Sequence, residues 1–398
     1  MEKVELLAPA GDLEKLKIAI LYGADAVFCG GKQFSLRAKA NNFTIDDLKK
    51  AVIFANNHNA KIHVTVNIVP VDEDFKTLDE YLLALDDAGV HAIIVSSIYI
   101  MKRAKQLNCK FEVHVSTQQS ITNHKSIEFF KEYANANRAV LARELNIEEI
   151  KEIKEKSCLP IEGFIHGGMC SSYSGRCTLS NAMAARDANK GGCAHSCRWT
   201  YQLFDNNVKI GTTNFIIASC DLMSIEYIKD MLDIGVDSFK IEGRMKSVHY
   251  IATVVSAYRR IIDEYYQKGK LSSTRIQYYK NEIKKAENRI TYTGFLNKEM
   301  KHEALLLNTG VENPTQSFIA LVIGNKDENG YTLIEVRNYF EKGDKAECFL
   351  PNGKTINITI PSMLTLDNEK IDVARHPKQL LKIKIKHDLP INTFIRKQ

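Results

Sequence analysis

No stretch of this 398-residue chain approaches the roughly eighteen uninterrupted apolar residues that a membrane-crossing helix requires. The amino terminus does not resemble a secretory signal either, because MEKVELLAPAGD places Glu2 and Glu5 where a basic region and an apolar core would stand. A cytoplasmic protein without membrane contact is expected. Phosphate fingerprints are missing, since neither G-x-G-x-x-G after a strand nor G-x-x-x-x-G-K-[ST] occurs. Two hydrolase signatures are missing as well, the H-E-x-x-H zinc motif and the G-x-S-x-G nucleophile elbow. Charge of one sign is scarce: 54 Lys and Arg face 48 Asp and Glu, and the net +6 permits nucleic-acid binding without demanding it.

What the chain does have is cysteine in one place. Four of its nine cysteines, Cys170, Cys177, Cys193 and Cys197, read Cys-x6-Cys-x15-Cys-x3-Cys. With no export signal, such closeness points to thiolate ligands rather than a disulfide framework. Four thiolates suit an iron–sulfur cluster, of the 4Fe-4S type, or a structural zinc. The open first pair lacks the tight knuckle usual for zinc and favours iron–sulfur, while unliganded thiols stay open as a third reading. Gly167, Gly168, Gly175, Gly191 and Gly192 bracket the cysteines and let backbone N–H groups approach sulfur. Arg176, Arg186, Lys190 and Arg198 would offset the charge of four thiolates. The plainer alternative is a surface loop with scattered basic residues.

Short Val/Ile-rich runs predict strands at 4–7, 25–29, 61–67, 91–95, 111–116, 138–142, 161–165 and 236–241, with 3.6-period apolar faces between them. Eight strands joined by crossovers predict an α/β fold, a TIM-type (β/α)8 barrel, with an open doubly wound sheet as the alternative. Asp12 is placed to cap a helix over 13–22, and Thr44 with Asp47 approximates a capping box before 48–55. A cysteine-rich insertion, 166–220, precedes the last strand and includes a hairpin, 199–204 and 210–217 about a turn at 205–207. In such barrels the active site lies at the carboxy ends of the strands, so the insertion is expected over the mouth. The barrel is assigned to 1–246 and a helical extension to 247–310, with helices at 248–267 and 274–288. A small antiparallel β-barrel takes 311–398, from strands at 318–323, 331–337, 346–350, 354–360 and 380–386.

Polar residues at strand ends supply the candidate site. Alternation along 236–244 puts Lys240, Glu242 and Arg244 on one face, where Lys240 and Glu242 are either catalytic groups or a satisfied ion pair. Arg143 and Arg244 suit bidentate recognition of carboxylate or phosphate. His114, Ser116 and Gln118 join the ring, and His166 ends a strand four residues before Cys170. In the last strand, alternation lines up Lys382, Lys384 and Lys386, either a phosphate-tracking stripe for RNA or an edge strand protected by lysines.

The run Glu162, Phe164, Gly167, Met169, Cys170, Gly175, Cys177, Leu179 and Ser180 resembles the signature of the collagenase-like peptidases, family 32 of the peptidases of unassigned mechanism. The resemblance extends over ELLAPAGD at 5–12, STQ at 116–118, LAREL at 141–145 and KIEGRMK at 240–246. Gly168, Lys190 and His195–Ser196 depart from the family pattern, and His195 stands where it could substitute as a ligand. Many members of that family are RNA-modifying proteins. The resemblance therefore implies hydroxylation of the wobble uridine of tRNA to 5-hydroxyuridine, with prephenate as co-substrate. Arg143 and Arg244 would hold its carboxylates, with Arg186 further out. Two other readings follow from the same family: a peptidase, or a non-catalytic subunit paired with a shorter paralogue.

Overall fold

The computed structural model describes residues 3–36, 41–286, 289–298, 302–306 and 318–398. Seven strands follow one another in parallel: β1 (Glu5–Pro9), β2 (Ala26–Gly30), β3 (Lys61–Val66), β4 (Ala92–Val95), β5 (Glu112–Val115), β6 (Arg138–Val140) and β7 (Ile161–Gly167). The chain then leaves the barrel for a hairpin, β8 (Tyr201–Asp205) with β9 (Val208–Phe215), and for β10 (Asp221–Met223), which runs antiparallel to the end of β7. It returns as β11 (Ser238–Ile241), which pairs in parallel with both β7 and β1 and closes an eight-stranded barrel. The closed barrel replaces the open-sheet alternative.

Alternation explains the two layers of the core. Leu6, Ala8, Val27, Ile62, Val64, Ile93 and Val95 point outward under the helices, in one large apolar cluster. Leu7, Ala26, Phe28 and Ile94 form a separate cluster inside the barrel. The helix Leu13–Leu21 starts as expected, with Asp12 Oδ1 accepting from Lys15 N–H at 2.9 Å, and Thr44 with Asp47 makes the reciprocal capping box before Ile45–Asn56. The long helix Val248–Lys268 lies against the barrel: Tyr258 donates to the Ile165 carbonyl and Arg259 pairs with Asp25 at 2.8 Å. Tyr258 and Tyr279 are buried packing residues. The expected helix over 274–288 is observed as Ser273–Lys284, and 287–288 lie outside the described residues, as does the expected boundary at 310–311.

Strand ends differ from the expected ones by a few residues. β5 and β6 stop short because Ser116 turns the chain into a short 3-10 helix and Leu141 leaves the ladder, while β7 runs on to Gly167. The hairpin turn is Asn206–Asn207, both at positive φ, as a two-residue turn between right-twisted strands requires.

The carboxy-terminal part is an eight-stranded antiparallel sheet rolled into a half-barrel, with its own apolar core. Among the described residues its outer strands, Thr355–Thr359 and Lys370–Ile371, do not pair with each other, so the expected small antiparallel β-barrel takes the form of a half-barrel. The strand Leu380–Ile383 is interior, paired on both sides, which removes the edge-strand reading for Lys382, while Lys384 and Lys386 lie beyond the strand's end. Lys382 is tied to Asn368 Oδ1 at 3.0 Å, and Lys384 lies 5.4 Å over the Tyr331 ring.

Inside the main barrel the packing is ionic as well as apolar. Arg138 makes two hydrogen bonds to Glu5 and one of 3.2 Å to Glu162, which receives Lys240 Nζ at 2.6 Å, and Ser238 donates to Glu5 at 2.9 Å. Burial alone would raise the Glu162 carboxyl, but Lys240 and Arg138 hold it below its ordinary value. The partner of Lys240 is thus Glu162, across the seam, rather than Glu242 on its own strand. Removing one member of a buried pair strands the other charge, so Lys240→Ala is expected to cost about 3–5 kcal/mol of stability. Urea unfolding checks this, and an unchanged midpoint would remove Lys240 from the framework.

Candidate functional site at the roofed barrel mouth

The insertion crosses the carboxy ends of the strands and is tied to loops on several sides. From the loop after β3, Val69 N–H donates to the Asn189 carbonyl at 3.0 Å, and Asp74 lies 3.4 Å from Lys190. After β5, Ser120 donates to the Ser174 carbonyl. After β6, Glu144 accepts from Ser174 N–H at 2.9 Å. Two close backbone approaches need glycine: a Cβ on Gly175 would stand 2.2 Å from the Gln118 carbonyl oxygen, and one on Gly167 2.1 Å from that of Glu242, both at positive φ.

Beneath this roof, Phe164 projects from β7 into the barrel. The Arg143 guanidinium lies 3.7 Å over its ring, and Lys240 Nζ lies 5.6 Å from the same ring and 4.5 Å from that of Phe28. Arg143 is half-buried and makes no hydrogen bond or ion pair among the described residues. Lys240 sits one layer lower, in the ion pair. Arg244 is buried and donates from Nη1 to Ser35 Oγ at 3.1 Å and Thr65 Oγ1 at 3.2 Å, and from Nη2 to the Leu36 carbonyl. Gly30 makes room for it, since a Cβ there would meet Nη1 at 2.1 Å. Glu242 follows the end of β11, where a bulge at 240–241 ends the alternation that grouped it with Lys240.

The histidines are enclosed. His166 packs against Tyr250 and Tyr258 of the long helix, its Nδ1 3.4 Å from the Tyr258 hydroxyl, and burial pushes its pKa down to about 3. A base that weak is poorly matched to proton transfer at neutral pH. His114 is fully buried, with Nε2 2.8 Å from Glu112 Oε2 and its ring 4.9 Å from that of His63. Burial lowers both imidazoles, and Glu112 opposes the shift at His114. Ser116 caps the turn that carries Gln118 under Gly175.

In the roof, all four cysteines carry free thiols. Burial raises the Cys197 thiol, Arg198 and Ser171 lower it, and the thiols of Cys170 and Cys193 raise it again. Ser180 Oγ lies 4.0 Å from Cys193 Sγ, and Asn189 holds the Cys177 carbonyl at 3.4 Å. Among the described residues no three His, Cys, Asp or Glu side chains converge to metal-binding distance. In donor chemistry, though not in the spacing of the side chains, the set suits a sulfur-ligated group, with four thiols on one glycine-rich segment. Asp221, buried on β10, pairs with two cations, Lys246 at 3.4 Å and Arg289 at 3.3 Å, with Arg198 sensing both Asp221 and the thiols of Cys197 and Cys170. Arg186 is half-buried and held by its backbone to the Ser180 carbonyl.

Two family models match the sequence, peptidase family U32 over residues 11–305 and the peptidase family U32 C-terminal domain over 314–396. The chain belongs to peptidase family U32. It is 43% identical to tRNA hydroxylation protein P1 of Bacillus subtilis, across 100% of this chain and 95% of that protein. It is 36% identical to the 23S rRNA 5-hydroxycytidine C2501 synthase of Escherichia coli over 66% of this chain and 39% of that protein, and 37% identical to a collagenase of Porphyromonas gingivalis over 66% of each.

In this U32 protein the residues behind the resemblance fall into two groups. Glu162, Phe164 and Lys240 belong to the barrel interior, and Gly167, Cys170, Gly175 and Cys177 to the roof. Glu5, His63, Arg138, Glu144 and Asp221 escaped notice as site residues. The visible signal for two of them was a charged residue at an inward position of an otherwise apolar barrel strand, Glu5 on β1 and Arg138 on β6. His63, His114 and His166 all have folded pKa values below the ordinary histidine value, so they bind protons only in the unfolded chain near pH 6. Their contribution to stability is complete above about pH 6.5 and is lost as pH falls below it, at roughly 1.4 kcal/mol per unit of pKa difference. Melting temperature is expected to hold steady above pH 7 and drop below pH 6, less steeply in His166→Phe. Parallel profiles for the two proteins would contradict the burial of a neutral His166.

Proposed function

We propose that this chain is an RNA-modifying enzyme that hydroxylates uridine in tRNA, converting the wobble base to 5-hydroxyuridine with prephenate as co-substrate. The observation that carries the reading is Arg143. Its guanidinium lies 3.7 Å over the Phe164 ring, just beyond the end of β6, and makes no hydrogen bond or ion pair among the described residues. A fixed guanidinium with open donors is suited to a carboxylate or a phosphate. The names of relatives that hydroxylate tRNA or rRNA supply the substrate class.

Replacing C5–H of uracil by C5–OH is a two-electron oxidation whose oxygen atom and electron acceptor must come from a co-reactant rather than from side chains of this protein, and a base must leave its stack to reach a barrel mouth. Arg143 would clamp a carboxylate of prephenate, with its plane set by Phe164. Arg244 would add positive potential from beneath, and the apolar and ion-paired interior would keep bulk water out. Cys170, Cys177, Cys193 and Cys197 would hold an iron–sulfur cluster, supplying an electron-transfer or Lewis-acid centre. A shorter paralogue is a candidate partner in the same reaction. The collagenase name of one relative raises the peptidase reading, yet His114 and His166 contact Glu112 and Tyr258, not a serine or cysteine nucleophile.

Mass spectrometry of tRNA nucleosides from a host lacking its own copy tests the proposal. The wild-type gene should restore 5-hydroxyuridine. Arg143→Ala, losing about 2–5 kcal/mol of carboxylate binding, should not, while remaining folded. Restoration by Arg143→Ala would overturn the role of the guanidinium, and no restoration by wild type, alone or with the paralogue, would overturn the function.

Protein prepared without oxygen is expected to be brown, with sulfur-to-iron absorption lost in Cys193→Ala and kept in His195→Gln. Stoichiometric zinc without iron would refute the cluster.

A further inference from the structure

Where the helical segment after the barrel meets the half-barrel, a cleft of about 140 Å³ opens, lined by Lys285, Glu347, Arg396, Lys397 and Gln398. Arg396 lies on the strand Phe394–Lys397, 1% exposed, with its guanidinium 4.1 Å over the Phe349 ring. Its Nη2 is 2.9 Å from Glu347 Oε1 and 3.6 Å from Glu282 Oε2, but none of its three nitrogens makes a hydrogen bond among the described residues. Lys285 Nζ stands 2.7 Å from Glu282 and 2.9 Å from Glu347, and Lys397 Nζ stands 2.7 Å from Asp344. Close by, His249 Nε2 is also buried without a hydrogen bond.

Orphaned donors at this depth cost about 1–3 kcal/mol each, so Nε and Nη1, the two guanidinium nitrogens with no carboxylate beside them, call for an acceptor in the cleft. Three cationic side chains line it, and the carboxylates of Glu347, Glu282 and Asp344 match them in number, so the two unspent guanidinium donors rather than a surplus of charge are what the cleft offers a ligand. The volume exceeds what one water needs, and the chemistry of the walls selects an oxyanion over a neutral molecule. We propose that this cleft binds a phosphate group, free or carried on a nucleic-acid backbone, with Arg396 as its principal donor and Lys397 as its outer one.

The position gives the site a consequence. Lys285 belongs to the helical segment packed on the barrel, whereas Arg396 and Lys397 belong to the half-barrel, so a bound phosphate would pin the two together. This inference is independent of the hydroxylation chemistry at the barrel mouth.

The test uses the full-length protein and titrates inorganic phosphate at constant ionic strength, reading melting temperature and the ring resonances of His249. The expected result is a saturable rise in melting temperature with a shift of the His249 signals. Both should vanish in Arg396→Met, and the apparent affinity should fall several-fold in Lys397→Gln, an exposed change that spares the buried network. No saturable effect in wild type, or the same effect in wild type and Lys397→Gln, overturns the proposal. A tRNA arm identifies the source: competition between phosphate and tRNA assigns the site to the nucleic-acid backbone, and their independent binding assigns it to a free phosphate or monoester.

Discussion

The ionic seam inside the barrel, Glu5–Arg138–Glu162–Lys240, is the constraint on which the rest of the structure depends. Its members come from β1, β6, β7 and β11, and Glu5 and Arg138 stand 133 residues apart in sequence. Taking such charges out of water costs several kcal/mol per ion, recovered only when every partner is in place. A partly closed barrel leaves charges stranded, so the seam penalises every arrangement but the closed one. It also fixes Lys240 below Phe164, and the same ring carries Arg143 on the side of the mouth. One aromatic side chain thus separates a cation spent on the framework from one left available for a ligand.

The roof is built on different physics. Its ties to the loops after β3, β5 and β6 are hydrogen bonds, one ion pair and two glycine contacts, with little apolar burial. Segments held in this way open at lower free energy than a packed core. Near the thiols a single buried carboxylate, Asp221 on β10, pairs with both Lys246 and Arg289.

Periodicity made the barrel legible, because its outward positions are uniformly apolar and its helices announce themselves through Asp12, Thr44 and Asp47. The interior was harder to read. Lys240 and Glu242 share a face by alternation, but the bulge at 240–241 separates them and the true partner, Glu162, comes from another strand, a relation no local pattern encodes. Arg143 was visible as a strand-end arginine, whereas its seat on Phe164 depends on β6 and β7 being neighbours. The strand Phe394–Lys397 went unseen because four residues, two of them cationic, do not look like the interior of a sheet. Arg396 is nonetheless among the most deeply buried side chains of the half-barrel. The expected strand over 380–386 ends at Ile383, so of the three alternating lysines only Lys382 stands on it, and the sheet order shows that this strand is interior.

The order of strands along the chain has a bearing on biosynthesis. β11 is the only strand that joins β7 to β1, and it is made after all four cysteines of the insertion. On the ribosome, where the chain emerges from its amino terminus, the thiols are therefore exposed while the barrel is still an open sheet. Delivery of any group to them can precede closure, and the shutting of the barrel by its last strand then draws the finished roof down over the mouth.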